Sequence, residues 1–160
     1  MLTTSPVRKA VPADEPELYS MCCELHRENA MFSMNEAKVR AMLHRAFDGS
    51  GAIIGAIGAT GSIQGCIFLI IDSMWYSDEW VLEELWSFVL PQYRKSNNAK
   101  DLVGFAKRCS TELSIPLVIG VVSNIRTQAK IGLYRRQLAD PVGAYFAYNM
   151  PVRDNDKKTA

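Results

Sequence analysis

Residues 84–102 decide the fold, and they read ELWSFVLPQYRKSNNAKDL. The run from Trp80 to Leu90 is rich in aromatic and branched residues, a composition typical of a β-strand. Pro91 ends the strand, because proline has no N–H to donate to a ladder. Strict alternation along the strand predicts two faces, one with Trp86 and Phe88 and the other with Leu85 and Val89.

A polar loop and a helix follow the proline. Ser96, Asn97 and Asn98 are all residues that commonly cap the N-terminus of a helix. The helix is predicted over residues 97–113, with an apolar stripe formed by Leu102, Phe105, Ala106, Cys109 and Leu113. A strand that feeds a helix through such a loop presents free backbone N–H groups at the positive end of the helix dipole. This arrangement can hold a phosphate, and nearby cations add to its positive charge, namely Arg94, Lys95 and Lys100.

This stretch resembles the acyl-CoA signature of the GCN5-related N-acetyltransferase (GNAT) superfamily. The family's pattern reads V-x-P-x-[YF]-R and then [QR]-x-x-G-x-[GA]. Val89 to Arg94 resembles the first part, and Arg94 to Ala99 resembles the second. Asn97 departs from the pattern, since the family has a glycine there that lets the backbone approach the pyrophosphate with φ > 0. Asparagine is the next most tolerant residue for that conformation.

Length and composition indicate an ordinary globular protein. With 160 residues the chain is long enough for one domain with its own core. We expect that domain over residues 1–150 and a polar tail over residues 151–160. Apolar residues make up 48% of the chain and charged residues 22%, and the net charge is only +1. This balance provides no field that would attract nucleic acid or an anionic membrane surface.

Neither the spacing of the cysteines nor the longest uncharged run indicates a special function. Four cysteines show neither a C-x-x-C pair nor a spacing typical of zinc sites, so free thiols in a reducing cytoplasm are expected and no metal is expected: Cys22, Cys23, Cys66 and Cys109. Gly51 to Ile71 is uncharged and long enough to span a bilayer, but its glycines and the turn at residues 59–62 favour a hairpin of two buried strands. Residues 1–11 lack the apolar core of a signal peptide, so a cytoplasmic location is expected.

Two capping boxes predict where the N-terminal helices begin. Asp14 with Glu17 is the first, and Ser33 with Glu36 is the second. Gly55, Gly58 and Gly61 fit neither a dinucleotide fingerprint nor a P-loop, so we interpret them as turn and bulge glycines.

The predicted order of elements is strand, two helices, three strands, helix, strand, helix, strand, which defines a mixed α/β sheet. The other predicted ranges are strands at residues 7–11, 52–58, 63–71, 117–122 and 142–150 and a helix at residues 127–138. The GNAT superfamily has the same order, so the resemblance covers almost the whole chain. It implies a mostly antiparallel central sheet flanked by helices.

The resemblance also implies acetyl-CoA as the acyl donor and an amine as the acceptor. In the superfamily the pantetheine arm pairs with the strand before the signature loop, which corresponds to Phe88, Val89 and Leu90 here. The diphosphate lies over the amides of the loop and the helix start. The corresponding residues in this chain are Arg94, Lys95, Ser96, Asn97, Asn98, Ala99 and Lys100. An asparagine that relatives often have further along the chain is replaced by Thr127 or displaced to Asn124.

Two residues are candidates for acid–base chemistry. Glu84 lies at the distance from Val89 where several family members place a catalytic glutamate, and apolar neighbours would raise its pKa toward that of a general base. An ordered water as base, or a carboxylate that only binds a cationic substrate, is the open alternative. Residues 132–136 resemble the family's L-Y-x-[KR] motif, whose tyrosine, Tyr134 here, can protonate the leaving thiolate. A half-buried core tyrosine is the competing interpretation.

The leading hypothesis is therefore an acetyl-CoA-dependent N-acetyltransferase that transfers the acetyl group directly to a primary amine. The alternative is a catalytically inactive GNAT-fold module that binds CoA or another protein. Nucleic-acid binding through Arg94, Lys95, Lys100, Lys107 and Arg108 is disfavoured by the neutral overall charge. Four carboxylates are candidates for an acidic mouth that favours an amine, namely Asp72, Asp78, Glu79 and Glu84. The identity of the acceptor stays open, and a homodimer is one expected assembly.

Overall fold

The computed structural model describes residues 6–29, 31–123 and 126–150. Its strands are β1 (Val7–Lys9), β2 (Ala52–Ile57), β3 (Gly65–Ser73), β4 (Trp80–Val89) and β5 (Leu117–Val118). Its helices are α1 (Glu15–Asn29), α2 (Glu36–Phe47), α3 (Asn98–Leu113) and α4 (Thr127–Gln137), with short 3₁₀ turns at Pro12–Asp14 and Pro91–Tyr93. The predicted tail, residues 151–160, lies outside the described residues.

The strands form one five-stranded sheet in the order β1-β2-β3-β4-β5. The first four strands are antiparallel neighbours, and β5 runs parallel to β4. The parallel pair follows from the connection, because a strand that returns through a helix such as α3 enters the sheet in the same direction. The predicted mixed α/β class with a mostly antiparallel sheet is confirmed.

Two of the predicted strands differ from the structure. The strand predicted over 117–122 is reduced to Leu117–Val118, which pair with Leu82 and Glu83. The strand predicted over 142–150 does not form: among the described residues this segment has no ladder partner, and the side chains of residues 142–149 are exposed. Alternating aromatic residues specify a strand only where a neighbouring strand offers its backbone groups, and β5 offers only two residues.

The sheet separates two apolar layers. α1 and α2 pack on one face, where Leu18, Leu43 and Phe68 are fully buried. α3 packs on the other face, where its predicted stripe residues Leu102 and Phe105 lie against Ile67 of β3 and Leu82 of β4.

Gly55 permits the close packing of α3, which corrects its interpretation as a turn or bulge glycine. A Cβ at this position of β2 would lie 2.6 Å from Cδ1 of Phe105 and 2.9 Å from Cγ1 of Val7. Gly58 and Gly61 do have positive φ values, +103° and +88°, in the turn between β2 and β3. The uncharged run is thus an antiparallel hairpin, and no helix in the described part of the chain has the length and apolarity needed to cross a membrane.

The predicted capping box of Asp14 and Glu17 is wrong, because both carboxylates bond to distant groups instead. The fully buried Asp14 accepts two hydrogen bonds from the Arg8 guanidinium, at 2.7 and 2.9 Å, and one from the Thr60 hydroxyl at 2.7 Å. Glu17 accepts from the backbone N–H groups of Gly61 (2.6 Å) and Ile63 (3.0 Å). These contacts fix α1 to β1 and to the β2–β3 turn.

The predicted capping box of Ser33 and Glu36 is also wrong. Asn35 is the N-cap of α2, and its Oδ1 accepts from the Lys38 backbone N–H at 3.0 Å. Asparagine caps a helix as well as serine does, so a capping residue two positions later took the role. The four cysteines are free, as expected: Cys66 and Cys109 are buried, and Cys22 and Cys23 are half-buried.

Candidate active site

A β-bulge in β4 determines which side chains face the site. Phe68 of β3 pairs with Trp86, but the next residue, Leu69, pairs with Glu84. Leu85 is therefore the extra residue, and its side chain is exposed. This contradicts the strict alternation predicted for the strand, which placed Leu85 on the same face as Val89.

The bulge brings Glu84 and Ser87 to the same face of the sheet. Their partners Leu69 and Ile67 both belong to the layer under α3, and Val89 packs in that layer too. Without the extra residue, Glu84 and Ser87 would point to opposite faces. The bulge also lies where the pairing of β4 with β5 ends, and a bulge bends its strand away from a neighbour.

Glu84 is a half-buried carboxyl group whose pKa is raised to about 7, chiefly by loss of solvent. A hydrogen bond from the Ser87 hydroxyl, the charge of Lys130 and the backbone of Gly120 favour the ionised form and oppose this rise in pKa. A carboxyl group with such a pKa changes its charge near neutral pH, a property that a general base requires.

Tyr134 of α4 contacts Ser87, the residue that also bonds to Glu84. Its hydroxyl lies 3.3 Å from Oγ of Ser87. Burial and the charge of Glu84 raise the pKa of the phenol, which therefore stays protonated at neutral pH. The structure thus brings the two predicted candidates, Glu84 and Tyr134, to one hydroxyl. Ser87 was not predicted, since nothing in the strand pattern distinguishes a serine that faces a site from one that faces solvent.

A cavity of about 440 Å³ lies between β4, the start of α3 and α4. Tyr134 and Ser87 line it, together with seven residues predicted to contact the acyl donor, namely Phe88, Val89, Arg94, Ser96, Asn97, Ala99 and Lys100. The other four, Leu90, Lys95, Asn98 and Thr127, do not line it. Two backbone groups expected to pair with pantetheine already have partners: Val89 O accepts from Arg94 Nε at 3.0 Å, and Leu90 N donates to Gln64 O at 3.0 Å.

The loop before α3 is closed by its own polar side chains. Ser96 Oγ donates to Tyr93 O at 2.6 Å and accepts from Asn98 N at 3.1 Å. Asn98 is buried and donates from Nδ2 to Oε1 of Gln64 at 3.1 Å. Asn97 has φ −82°, so the conformation with φ > 0 that was expected at this position is not used. An asparagine is therefore unstrained here.

Arg94 is held by the protein itself. Its Nη2 donates to both carboxylate oxygens of Glu28 at 2.7 and 2.8 Å, and its guanidinium lies 5.2 Å from the centre of the Phe88 ring. Glu28 therefore neutralises much of the charge that the signature motif would direct at a phosphate. Glu28 was missed because it comes from the end of α1, far away in the sequence.

A second polar chain connects α1 to α4 across the cavity. Lys130 Nζ donates to Ser123 Oγ at 3.0 Å, and that hydroxyl donates to Oδ1 of Asn29 at 2.8 Å. Thr127, predicted to contact the donor, donates instead to the backbone O of Ser123 at 2.7 Å, and Asn124 lies outside the described residues. Lys130 was also missed, because a single lysine on a helix is usually solvated.

The expected acidic mouth is not part of this cavity. Asp78 and Glu79 are exposed loop residues, Asp72 is an exposed residue near the end of β3, and none of the three lines the cavity. Glu84 does not line the cavity either, but it alone of the four carboxylates lies beside it, next to Ser87. Within residues 6–29, 31–123 and 126–150, no group of three or more His, Cys, Asp and Glu side chains is arranged to hold a metal ion.

Comparisons with known proteins agree with this architecture at the level of fold. No family model matches the sequence, and no curated protein does. Solved structures match over most of the chain. Aminoglycoside N-acetyltransferase AAC(6')-Iy, in complex with a CoA bisubstrate analogue, superimposes with a TM-score of 0.70 and 15% identity, covering 91% of this chain and 97% of that chain.

Two further structures show the same agreement. Ribosomal-protein-alanine N-acetyltransferase from Brucella melitensis biovar Abortus 2308 has a TM-score of 0.68 and 13% identity, covering 91% of this chain and 97% of that chain. Aminoglycoside 6'-N-acetyltransferase AAC(6')-IG from Acinetobacter haemolyticus has a TM-score of 0.67 and 13% identity, covering 92% and 99%. The chain therefore has the fold of the GNAT acetyltransferases.

Proposed function

We propose that this chain is an acetyl-CoA-dependent N-acetyltransferase that transfers the acetyl group directly to a primary amine. The observation that carries the proposal is the meeting of Glu84, Ser87 and Tyr134 beside a cavity that extends to the start of α3. A base and an acid joined by one hydroxyl are what acyl transfer from a thioester to an amine requires. Acetyltransferases that share this fold support the same reaction class.

The lining of the cavity suits the negative charge of the donor. Lys100, Arg126 and Arg136 line it and supply cations for the phosphates, and the α3 N-terminus supplies backbone N–H groups. In the described residues β4 pairs with β5 only at Leu82 and Glu83, so an amide-bearing arm can lie along the following part of the strand. Lys100, Arg126 and Arg136 therefore replace Arg94 and Lys95 as the proposed cationic ligands of the phosphates.

Glu84 and Tyr134 each carry out one of the two proton transfers of the reaction. The ionised Glu84 takes a proton from the attacking amine, and Tyr134 gives its proton to the departing thiolate. Because Ser87 donates to Glu84, its oxygen is the acceptor for the Tyr134 hydroxyl. The proton gained by Glu84 can then return through Ser87 to Tyr134, which resets both groups.

Release of free CoA thiol in the presence of a panel of primary amines tests the proposal. Because each variant removes one proton-transfer group, we expect Glu84→Gln and Tyr134→Phe to lower kcat about 10²-fold or more. Asp78→Asn, an exposed carboxyl outside the cavity, is the matched control and should leave the rate unchanged. Acetyl-CoA binding without thiol release would favour the non-catalytic CoA-binding module instead. Full rates in both site variants would overturn the roles proposed for Glu84 and Tyr134.

A further inference from the structure

Lys130 is a cavity-lining amine that the proposed reaction leaves without a role. It lies on α4 one turn before Tyr134, and residues at this i, i+4 spacing share a helix face with Cβ atoms about 5–6 Å apart. Both side chains line the same cavity. Lys130 therefore shares a helix face and a cavity with the tyrosine that we propose as the proton donor to the thiolate.

The surroundings of Lys130 hold the amine in place and reduce its charge. Its Nζ donates to Ser123 Oγ at 3.0 Å. Burial, Arg94 and Arg126 lower the pKa of the ammonium group, while Glu28 and Glu84 oppose that change. A larger fraction of neutral amine is available here than on a solvated lysine, and only neutral nitrogen has a lone pair for attack.

We propose that Lys130 is an acetylation site of this chain, modified by the chain's own active site with acetyl-CoA as the donor. The inference rests on the proposed function. The Nζ lone pair forms a bond to the acetyl carbonyl carbon, and the carbon–sulfur bond breaks. Glu84 takes the proton lost by nitrogen, Tyr134 supplies a proton to sulfur, and Ser87 returns the proton from Glu84 to Tyr134. The net products are Nε-acetyllysine and free CoA thiol.

The modification would change the electrostatics of the site. Acetylation removes the positive charge of Lys130, which favours ionised Glu84 in the unmodified chain. The pKa of Glu84 should therefore rise in the acetylated protein, and less of the base would be ionised at neutral pH.

The test needs no external acceptor. The purified full chain is incubated with acetyl-CoA, its intact mass is followed with time, and modified lysines are located by peptide mapping. We expect one acetyl group per chain, placed on Lys130, absent from Lys130→Arg and unchanged in Lys38→Arg, a conservative variant of an exposed lysine on α2. Glu84→Gln and Tyr134→Phe should slow the modification at least about tenfold, whereas spontaneous acetylation of Lys38 should keep its rate.

Two results would overturn the inference. One is acetylation of Lys130 no faster than that of Lys38, and the other is an equal rate at Lys130 in the wild type and both site variants. Melting curves with acetyl-CoA separate the two proposals. Stabilisation by acetyl-CoA together with an unmodified Lys130 overturns only the acetylation site. Absence of stabilisation, of thiol release and of modification overturns the proposed function as well.

Discussion

The ionisation of Glu84 is the property on which activity should depend most steeply. Because the raised pKa is about 7 and a base must be ionised, kcat/KM should increase with pH through about 7 and then level off. Glu84→Gln should lose this acidic limb along with most of the rate. The measurement is a pH–rate profile of thiol release for wild type and variant. An unchanged profile in Glu84→Gln would assign the limb to another group.

The same pKa predicts an effect on stability that needs no substrate. A carboxyl group whose pKa is higher in the folded state costs stability wherever it is ionised in both states, here above about pH 7. Glu84→Gln should therefore melt at a higher temperature than wild type at pH 8. The difference should shrink as pH falls from about 7 toward the ordinary glutamate value of about 4.3. An equal difference at pH 8 and pH 5 would contradict the assignment.

Ser87 should matter for turnover more than for binding. Ser87→Ala removes the hydroxyl that joins Glu84 to Tyr134, so both groups lose a hydrogen-bond partner and the return path for the proton. We expect a roughly tenfold lower kcat with little change in acetyl-CoA affinity. Ser110→Ala, whose hydroxyl bonds to Ile115 O away from the cavity, is the control. A normal kcat in Ser87→Ala would exclude the relay.

Among the secondary-structure elements, the junction of β1, α1 and the β2–β3 turn depends on one buried carboxylate. Asp14→Asn removes the charge that pairs with the partly exposed Arg8, and the weakened charge-assisted hydrogen bonds should cost about 1.5–3 kcal/mol. Urea unfolding at pH 7 should show this loss, and Asp78→Asn should show none. Pairing holds the pKa of Asp14 at about 2, so its contribution to stability is present above the ordinary value of 3.8 and is lost as pH falls through about 2.

The packing of α3 on β2 gives a second test of the fold. Gly55→Ala should cost about 1–3 kcal/mol, because its Cβ would overlap the Phe105 ring. Gly143→Ala, where no atom lies within 4 Å of the added Cβ, should be neutral. The measurement is the change in free energy of unfolding for both variants. A neutral Gly55→Ala would show that α3 can shift to accommodate the methyl group.

The strand–loop–helix at residues 80–113 could be predicted because its periodicity, its proline break and its polar loop all indicate the same structure. The caps of α1 were predicted wrongly because Asp14 and Glu17 have partners some 45 residues along the chain, at Thr60 and Ile63. The bulge at Leu85 could not be predicted either, since it depends on the register with β3. As a result motifs were enough to propose Glu84 and Tyr134 as candidates, but Ser87, Glu28 and Lys130 became candidates only with the fold.

At the scale of the whole molecule, the site is formed where the sheet opens. β4 and β5 separate after two paired residues, α4 covers the gap with Tyr134 and Lys130, and α1 contributes Glu28 and Asn29. Parts of the chain that are distant in sequence therefore create one cavity. The cytoplasmic location and the homodimer stay predictions.

The melting temperature of the full chain with and without excess acetyl-CoA tests the central claim most directly. At about 100 times its dissociation constant, acetyl-CoA should stabilise the native state by roughly 2.7 kcal/mol. This corresponds to an increase of about 5–10 °C for a chain of this length. The increase should be smaller in Lys100→Glu, at the start of α3, and intact in Lys38→Glu. No increase with acetyl-CoA or CoA, or an equal increase in both variants, would contradict the account.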